Sequence, residues 1–420
     1  MTYGLIGEHL AHSWSPLVHK LVSGMDYSLA EVPREDLGHW LRHAPFRGIN
    51  VTIPYKQEVI PWLDSLSGTS RKTGAVNTVT KTGDGLLTGY NTDVYGASEM
   101  MLRSGVRIRG SKLAVLGRGG AARAVAEAAL GLGAASVRFA VRNPDSPDQL
   151  PISDPEAFRD CGIIVNATPV GMYPDLGSTP LDISFLPDLQ AVFDCIYNPL
   201  RSSFVLDARS RGIAAFGGLR MLVSQAVKAE ELWLGKSFDE SVAEVTHAAV
   251  ASRLANIVLT GMPYSGKTTV GRELAALTGR QLIDTDQEIV AAAGKGIPEI
   301  FASEGEEGFR RREAEVVRAL APRTGLVIAA GGGTVLSEAN LKLLKHNGLL
   351  CLIERPAELM QPSPVRPLAP DRQALSRLAA ERGPAYSRAA DFSICNDCSP
   401  KQAAESMWDL FNKLIQRELL

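Results

Sequence analysis

The sequence is short of several things, and each shortage excludes a class of protein. No apolar run approaches the ~18–20 residues that a membrane-spanning helix needs. The opening residues, Met1 to Ile6, carry no basic stretch ahead of an apolar one, so no secretory signal is expected. Cysteine is sparse and odd in number, five in 420 residues, which suits a reducing compartment better than a disulfide framework. Cys395 and Cys398 form one CxxC, but without a second cysteine pair or a histidine pair the spacing is weak support for zinc or redox chemistry and reads as coincidence. Excess charge is missing too. Basic and acidic residues number 44 and 46, and on the two sides of residue 252 they run 23 against 26 and 21 against 20. Neither part has the positive balance of a nucleic-acid binder or of a protein held on anionic lipid. Internal repeats and low-complexity tracts are absent. The expectation is a cytoplasmic protein, monomer or homodimer, whose partners are small molecules rather than nucleic acid or membrane.

What is present is globular composition, 45% hydrophobic and 21% charged, over a length that allows two or three domains. Two glycine-rich signatures divide the chain. Lys112 to Leu116 reads as a short buried strand, Gly117 to Ala122 as a glycine turn, Arg123 to Leu132 as a helix and Ser136 to Val141 as a second strand. Asn256 to Thr260 reads as another strand, followed by Gly261 to Thr268 and a helix from about Thr269 to Leu277. Upstream, Tyr3 to Ile6 and Gly48 to Ile53 look like strands, and Pro16 to Ser23 like a helix opened by proline. The fold class is therefore α/β in three lobes. The first covers about 1–100 and is completed by 219–252, the second covers 101–218, and a third covers 253–420. Val242, Val245 and Ala249 have helical spacing, so the join near 239–253 is expected to be a helix rather than a flexible tether.

Gly261 to Thr268 fits G-x-x-x-x-G-K-[ST] at each fixed position. Glycines let backbone N–H groups turn inward around a phosphate, and the helix that follows points its positive end at it. Lys267 would reach the β- and γ-phosphates of ATP and Thr268 would bind Mg²⁺. Leu282 to Asp286 reads as a strand end that carries Asp284 and Asp286 on one side, suited to a metal partner and an acceptor's proton. Arg310, Arg311 and Arg312 lie on a predicted helix, Gly331 to Gly333 follow a strand, Arg366 lies in a proline-rich loop and Arg382 precedes Pro384 and Tyr386. This ordered set resembles shikimate kinase over about 253–420, a P-loop domain with a parallel sheet. The resemblance implies that Gly261, Ser265, Gly266, Lys267, Thr268 and Thr269 bind ATP. It gives Thr268 and Asp284 to Mg²⁺. Asp286 would orient the attacked hydroxyl, Gly331, Gly332 and Gly333 would approach the substrate, and Arg310 and Arg382 would hold its carboxylate. Arg366 would reach the transferring phosphoryl group from a lid. Arg311 and Arg312 are expected on the solvated face of their helix. The family's arginine that follows a leucine ahead of the lid is missing from 359–364, and that stretch is several residues short.

In the first part, the turn at Gly117, Gly119 and Ala122 has the strand–turn–helix–strand context of a dinucleotide site. Arg142 ends the second strand where an NAD site would place an acid, and a cation there suits the 2′-phosphate of NADP, although Asp145 is close by. Arg118 and Arg123 could touch phosphate or lie on the surface. Earlier come Ser13 and Ser15, with Ser15 placed as a helix cap before Pro16, then Asn50 to Lys56, which ends a strand with a lysine. Gly74 to Thr78 and Asn91 to Asp93 follow. With Asn166 to Met172 and Gly218 to Gln225, these resemble shikimate dehydrogenase over about 1–250: an α/β substrate lobe and a Rossmann-like NADP lobe. The resemblance implies that Ser13 and Ser15 bind the substrate carboxylate, and that Thr52, Asn77, Asn91 and Gln225 bind its ring hydroxyls. Lys56 and Asp93 would be the catalytic pair. Gly117, Gly119, Gly120, Ala121, Arg142, Thr168 and Gly218 would line the NADP(H) site. The stretch from Arg142 to Asp154 is shorter than the family's and keeps one arginine.

The two resemblances share a metabolite: 3-dehydroshikimate is reduced to shikimate, which is then phosphorylated to shikimate 3-phosphate, on the route to aromatic amino acids. Two other readings stay open. One half could be catalytically silent, against which stand Lys56 with Asp93 and Lys267 with Asp286. The first half could use quinate with NAD, against which stand the serine pair and Arg142.

Overall fold

A computed structural model describes residues 2–10, 13–147, 149–361 and 371–418. The chain forms two compact units, Met1–Val250 and Ala251–Glu418.

The first unit holds two sheets. Strands β1 (Tyr3–Gly7), β2 (Tyr27–Glu31), β3 (Gly48–Val51), β4 (Ser65–Leu66), β5 (Thr78–Lys81) and β6 (Leu87–Tyr90) form a mixed sheet in the order β2-β1-β3-β5-β6-β4. β1 pairs in parallel with β2 and β3, while β3 and β6 run antiparallel to β5. β3 is buried along its whole length, which is why Asn50 ends up inside the lobe. The second sheet comprises β7 (Lys112–Leu116), β8 (Ser136–Val141), β9 (Gln149–Pro151), β10 (Ile163–Asn166), β11 (Ala191–Asp194) and β12 (Ala214–Phe216), all parallel, in the order β12-β11-β10-β7-β8-β9. The order reverses between β10 and β7, and the crevice outside the strand ends there is where doubly wound sheets take ligands. The Leu219–Leu234 helix leaves the second sheet and packs against the Ser15–Ser23 and Asp93–Arg103 helices of the first lobe.

In the second unit, β13 (Asn256–Thr260), β14 (Gln281–Asp284), β15 (Leu326–Ala329), β16 (Gly348–Glu354) and β17 (Phe392–Cys395) form a parallel sheet in the order β14-β15-β13-β16-β17. β13 is central and fully buried, so the glycine loop after it opens at the middle of the sheet's C-terminal edge. The predicted joining helix is present as Ser241–Leu254.

Three local expectations are corrected. Asp284 and Asp286 do not share a strand. β14 ends at Asp284, which caps the Thr285–Ala293 helix by accepting from the Asp286 backbone N–H at 3.1 Å, and this puts Asp286 in the first helical turn. Ser15 is not a cap but the first residue of its helix; its backbone N–H instead donates to Ser13 Oγ at 3.3 Å. β3 stops at Val51, so Lys56 lies in the turn beyond the strand rather than at its end.

Candidate active sites

Lys56 Nζ and Asp93 Oδ2 lie 2.6 Å apart, with side chains 19% and 9% exposed. The turn after β3 carries the lysine, and the Asp93–Arg103 helix begins with the aspartate, whose negative charge is favourable at that end. Asn77 Nδ2 donates to the other carboxylate oxygen at 2.8 Å and lies 3.3 Å from Gln225 Oε1. Gln225 itself is fixed by donating to Leu222 O at 2.9 Å. Asn91 Nδ2 donates to Thr73 Oγ1 and Ala75 O, and its oxygen accepts from the Asp93 N–H at 3.2 Å. Asn91 thus braces Asp93 and keeps one lone pair for a hydroxyl. Thr52 and Ser13 are half-buried and Ser15 is buried. The sequence reading missed Tyr197. Its ring packs on Trp14, between the two serines, at 5.4 Å. Burial, with the Asp93 charge behind it, raises the Tyr197 pKa.

The glycine turn of the second sheet closes on this pair. A Cβ on Gly120 would sit 3.2 Å from Lys56 Cδ and 3.5 Å from Ala75 Cβ, so the start of the Gly120–Gly131 helix lies against the lysine's stem. Gly117, at φ +96°, makes the bend, Gly119 is the helix N-cap and Ala121 lies in the first turn. Thr168 is held by Asn166 Oδ1, which accepts from its hydroxyl at 2.7 Å and its N–H at 3.0 Å. Gly218 packs so closely on Cys195 O that a Cβ would lie 2.2 Å from it. Arg142 is exposed after β8. Arg118 pairs with Asp145 at 2.6 Å, and this contact holds the Asp145 pKa below its ordinary value. Arg123 reaches Thr73 O at 3.4 Å.

At the end of β11, Asp194 is fully buried and accepts from Ser202 Oγ at 2.5 Å, Ile196 N at 2.9 Å and Asn166 Nδ2 at 3.0 Å. Burial still wins and pushes its pKa up to about 7. The folded value lies above the unfolded one, so Asp194's contribution to stability is full below about pH 4 and is lost as pH rises through about 7. The limits differ by up to ~4 kcal/mol. We expect the unfolding midpoint of the first unit to fall as pH rises from about 4 to about 7 and to level off above that, and Asp194→Asn to flatten that fall; an equally steep fall in the variant would contradict this assignment.

In the second unit, Lys267 Nζ curls back over the glycine loop to Gly261 O and Met262 O, each at 2.9 Å. Thr268 Oγ1 donates to Asp284 Oδ2 at 2.7 Å, which brings two hard oxygen donors together at the start of the Lys267–Thr278 helix. Such a pair fits Mg²⁺, which keeps most of its waters and needs few protein ligands. Ser265 is buried and its carbonyl is held by Asn396 Nδ2 at 2.7 Å, while Gly266 takes φ +94° and Thr269 is exposed. Asp286 lies across from Gly331, where a Cβ would approach Asp286 Oδ1 to 2.7 Å. Arg310 donates to Glu313 at 3.0 Å and Glu306 at 3.1 Å. Burial opposes the Arg310 charge, but the two glutamates outweigh it and raise the pKa. Glu313, 1% exposed, has its own pKa raised by burial and also accepts from Thr334 Oγ1 at 2.8 Å. The sequence reading gave Glu313 no role; its three-residue spacing from Arg310 on one helix face was the available signal. Arg382 and Tyr386 both donate to Gly332 O.

Arg311 is exposed, and Arg312 is partly exposed but ion-paired. Its guanidinium forks onto Glu304 with two contacts of 2.9 Å, and with Lys295 it holds the Glu304 pKa down to about 2. Arg366 lies outside the described residues. Cys395 and Cys398 are exposed free thiols, and desolvation and Asp397 raise the Cys395 pKa, away from the low values of reactive thiols. Gly333 is required by its neighbour, since a Cβ there would lie 2.1 Å from an Arg310 guanidinium nitrogen. Gly333→Ala should therefore displace Arg310 and raise the KM of the second unit's acceptor at least ~10-fold, as expected for a lost charge-assisted pair. An unchanged KM would remove Arg310 from the acceptor site.

Residues 263–412 match the shikimate kinase family model and residues 5–79 match that of the shikimate dehydrogenase substrate-binding domain. The chain is 36% identical over 258 residues to shikimate dehydrogenase (NADP(+)) of Clostridium beijerinckii, covering 58% of this chain and 95% of the relative. It is 38% identical to the Symbiobacterium thermophilum protein of the same name, covering 56% and 88%. Among solved structures, the Thermus thermophilus shikimate 5-dehydrogenase in complex with NADP(H) and shikimate matches with TM-score 0.54 and 33% identity, covering 59% of this chain and 99% of that one. A chorismate mutase/shikimate 5-dehydrogenase fusion from Clostridium acetobutylicum matches with TM-score 0.56 and 37% identity, covering 59% and 96%.

Proposed function

The chain belongs to the shikimate dehydrogenase family over its first unit and carries a shikimate kinase domain at residues 263–412, and from that premise we propose that one polypeptide reduces 3-dehydroshikimate with NADPH and phosphorylates the resulting shikimate with ATP. The observation that carries the reading is the Lys56–Asp93 ion pair set against the glycine turn at Gly120, in a chain that also folds Lys267 over its glycine loop and pairs Thr268 with Asp284.

In the reduction, Ser13 and Ser15 hold the carboxylate, and Thr52, Asn77, Asn91 and Gln225 hold ring hydroxyls. NADPH, when bound, supplies the hydride. Lys56 donates a proton to the oxygen that becomes the alkoxide, and Asp93 keeps the ammonium aimed at it. Gly117, Gly119, Gly120 and Ala121 offer backbone N–H groups to the dinucleotide, with Thr168 and Gly218 beside them. Arg142 is the cation for a 2′-phosphate. The nearby acid, Asp145, is occupied by Arg118, which leaves it poorly suited to a free ribose hydroxyl and favours NADP over NAD.

In the phosphorylation, Lys267 and the loop residues Gly261, Ser265, Gly266 and Thr269 take the phosphates. Thr268 and Asp284 would hold Mg²⁺, which when bound would supply neutralising charge for the phosphates. Asp286 orients the attacked hydroxyl and accepts its proton, Arg310 and Arg382 grip the carboxylate, and Gly331, Gly332 and Gly333 let the substrate approach the backbone. Glu313 fixes the Arg310 fork. For Arg366 the lid role rests on its sequence motif alone.

A coupled assay tests both reactions. 3-Dehydroshikimate with NADPH, followed by ATP and Mg²⁺, should yield shikimate 3-phosphate, with kcat/KM at least ~10-fold lower for NADH, the scale of one charged hydrogen bond. NADPH consumption without ATP consumption, or a preference for quinate with NAD, would sink the reading.

A further inference from the structure

Behind Asn77 lies a buried polar cluster that none of the steps above uses. His19, on the Ser15–Ser23 helix, and Glu230, on the Leu219–Leu234 helix, are both fully buried, with Nδ1 and Oε1 2.8 Å apart. His19 Nε2 lies 3.2 Å from Asn50 Oδ1, and the Tyr27 hydroxyl donates to the same oxygen at 2.7 Å. The imidazole stacks on Tyr27 with centroids 4.0 Å apart and also packs on Trp233 at 5.4 Å.

The protons in this cluster can be counted. Asn50 Nδ2 donates to Asn77 O at 3.2 Å and Thr78 Oγ1 at 3.1 Å. Turned over, the amide would set its oxygen against the Asn77 carbonyl, so the orientation is fixed. Oδ1 then faces His19, and Nε2 must carry a proton. The Nδ1–Glu230 contact holds one further proton, on nitrogen or on oxygen. By this count the pair is net neutral and Nε2 donates to Asn50 Oδ1. Glu230 Oε2 is buried with no hydrogen-bond partner among the described residues, which is costly. Buried ion pairs of this kind are weak sources of stability, and apolar side chains of similar volume often serve as well. What apolar side chains cannot supply is a second donor to Asn50 Oδ1 beside the Tyr27 hydroxyl.

From Asn50 the contacts run directly to the reducing site. The Thr78 and Thr92 hydroxyls lie 3.0 Å apart, and Asn77 Oδ1 accepts from the Thr92 N–H at 2.7 Å. Asn77 Nδ2 donates to Asp93, which holds Lys56. A second arm converges on the same amide, because Glu230 shares its helix with Gln225, whose Oε1 lies beside Asn77 Nδ2.

We propose that His19 and Glu230 are positioning residues for the reduction: they hold Asn50, and through it Asn77 and Asp93, in the orientation that aims Lys56. The inference rests on the dehydrogenase reading of the first unit.

Two variants of the full chain test it. In Glu230→Gln, the amide can donate to Nδ1 while Nε2 keeps its proton, so the network survives without charge, and dehydrogenase kcat should stay within about threefold of the parent. The double variant His19→Phe with Glu230→Leu keeps the stacked ring and removes both polar partners together, the change that least disturbs folding. It should keep the unfolding midpoint and the kinase activity, and lose at least ~10-fold in dehydrogenase kcat, the scale of a misplaced catalytic group. In the same folded double variant, amide hydrogen exchange across residues 76–93 should quicken relative to the rest of the first unit. Parent-like kcat in the double variant, or an equal loss in Glu230→Gln, would overturn the proposal. If the parent chain itself fails to reduce 3-dehydroshikimate, the dehydrogenase reading falls, and the exchange measurement still decides the positioning: unchanged exchange across 76–93 rejects it.

Discussion

Lys56→Ala should abolish NADPH oxidation with 3-dehydroshikimate and leave ATP-dependent phosphorylation of shikimate at the parent rate. The lysine is the one cation in direct contact with Asp93 among the described residues, and its stem lies against the glycine turn where the dinucleotide would bind. Removing it takes away both the proton donor and the charge that stabilises the forming alkoxide. Each of these effects is commonly worth ~10²–10⁴ in rate, so a loss of ~10³-fold or more in kcat is expected. Asp93 and Asn77 stay bonded to each other in the variant, so the lobe should keep its fold and its unfolding midpoint. Spectrophotometric kcat for both reactions on one preparation checks the result. Residual reduction above a hundredth of the parent rate would mean that another group delivers the proton.

Lys267→Ala should give the mirror image: no detectable phosphorylation and unaltered reduction. The parent Lys267 ammonium lies over the loop carbonyls of Gly261 and Met262, poised where phosphate oxygens would compete for it. Phosphoryl transfer depends mainly on positioning and charge stabilisation, so loss of that cation is expected to cost ~10³-fold or more. Thr268 and Asp284 remain paired, and the glycine loop keeps its anchor through Asn396 and Ser265. Loss of both activities from either substitution, in a folded protein, would show that the two sites are not independent. A pure effect on KM for ATP, with kcat intact, would recast Lys267 as a binding residue alone.

Local sequence carries much of this architecture. β7, β8 and β13 run between the residues that the sequence marks; for β13, and for β7 after Lys112, the reason is that a parallel strand buried on both faces needs an apolar segment and leaves little choice of register. The joining helix follows from its spacing in the same way. Motif residues separated by a fixed number of positions, such as Lys267 with Thr268 or Gly331 to Gly333, are also legible, since one turn of backbone determines their geometry.

Contacts between distant segments are not legible, and there the expectations needed correction. Asp286 left the strand because Asp284 was free to cap a helix, a choice set by where β14 ends against β15. Arg312 is tied down because Glu304, eight residues earlier across a kink at Gly305, offers it a two-pronged partner. Tyr197 meets Trp14 only because the first unit folds its second sheet back toward its first helix.

The sequence by itself determined which side chains are available: two lysines, their carboxylates, the glycine turns and the arginine forks, ordered as the two families order them. The tertiary structure decided which of them touch. It set Lys56 on Asp93 across 37 positions, Gln225 on Asn77 across 148 and Glu230 on His19 across 211. No periodicity or spacing rule reaches that far. Such contacts arise when apolar faces are buried together, and the polar groups carried inside must then find partners among whatever segments the packing brings near.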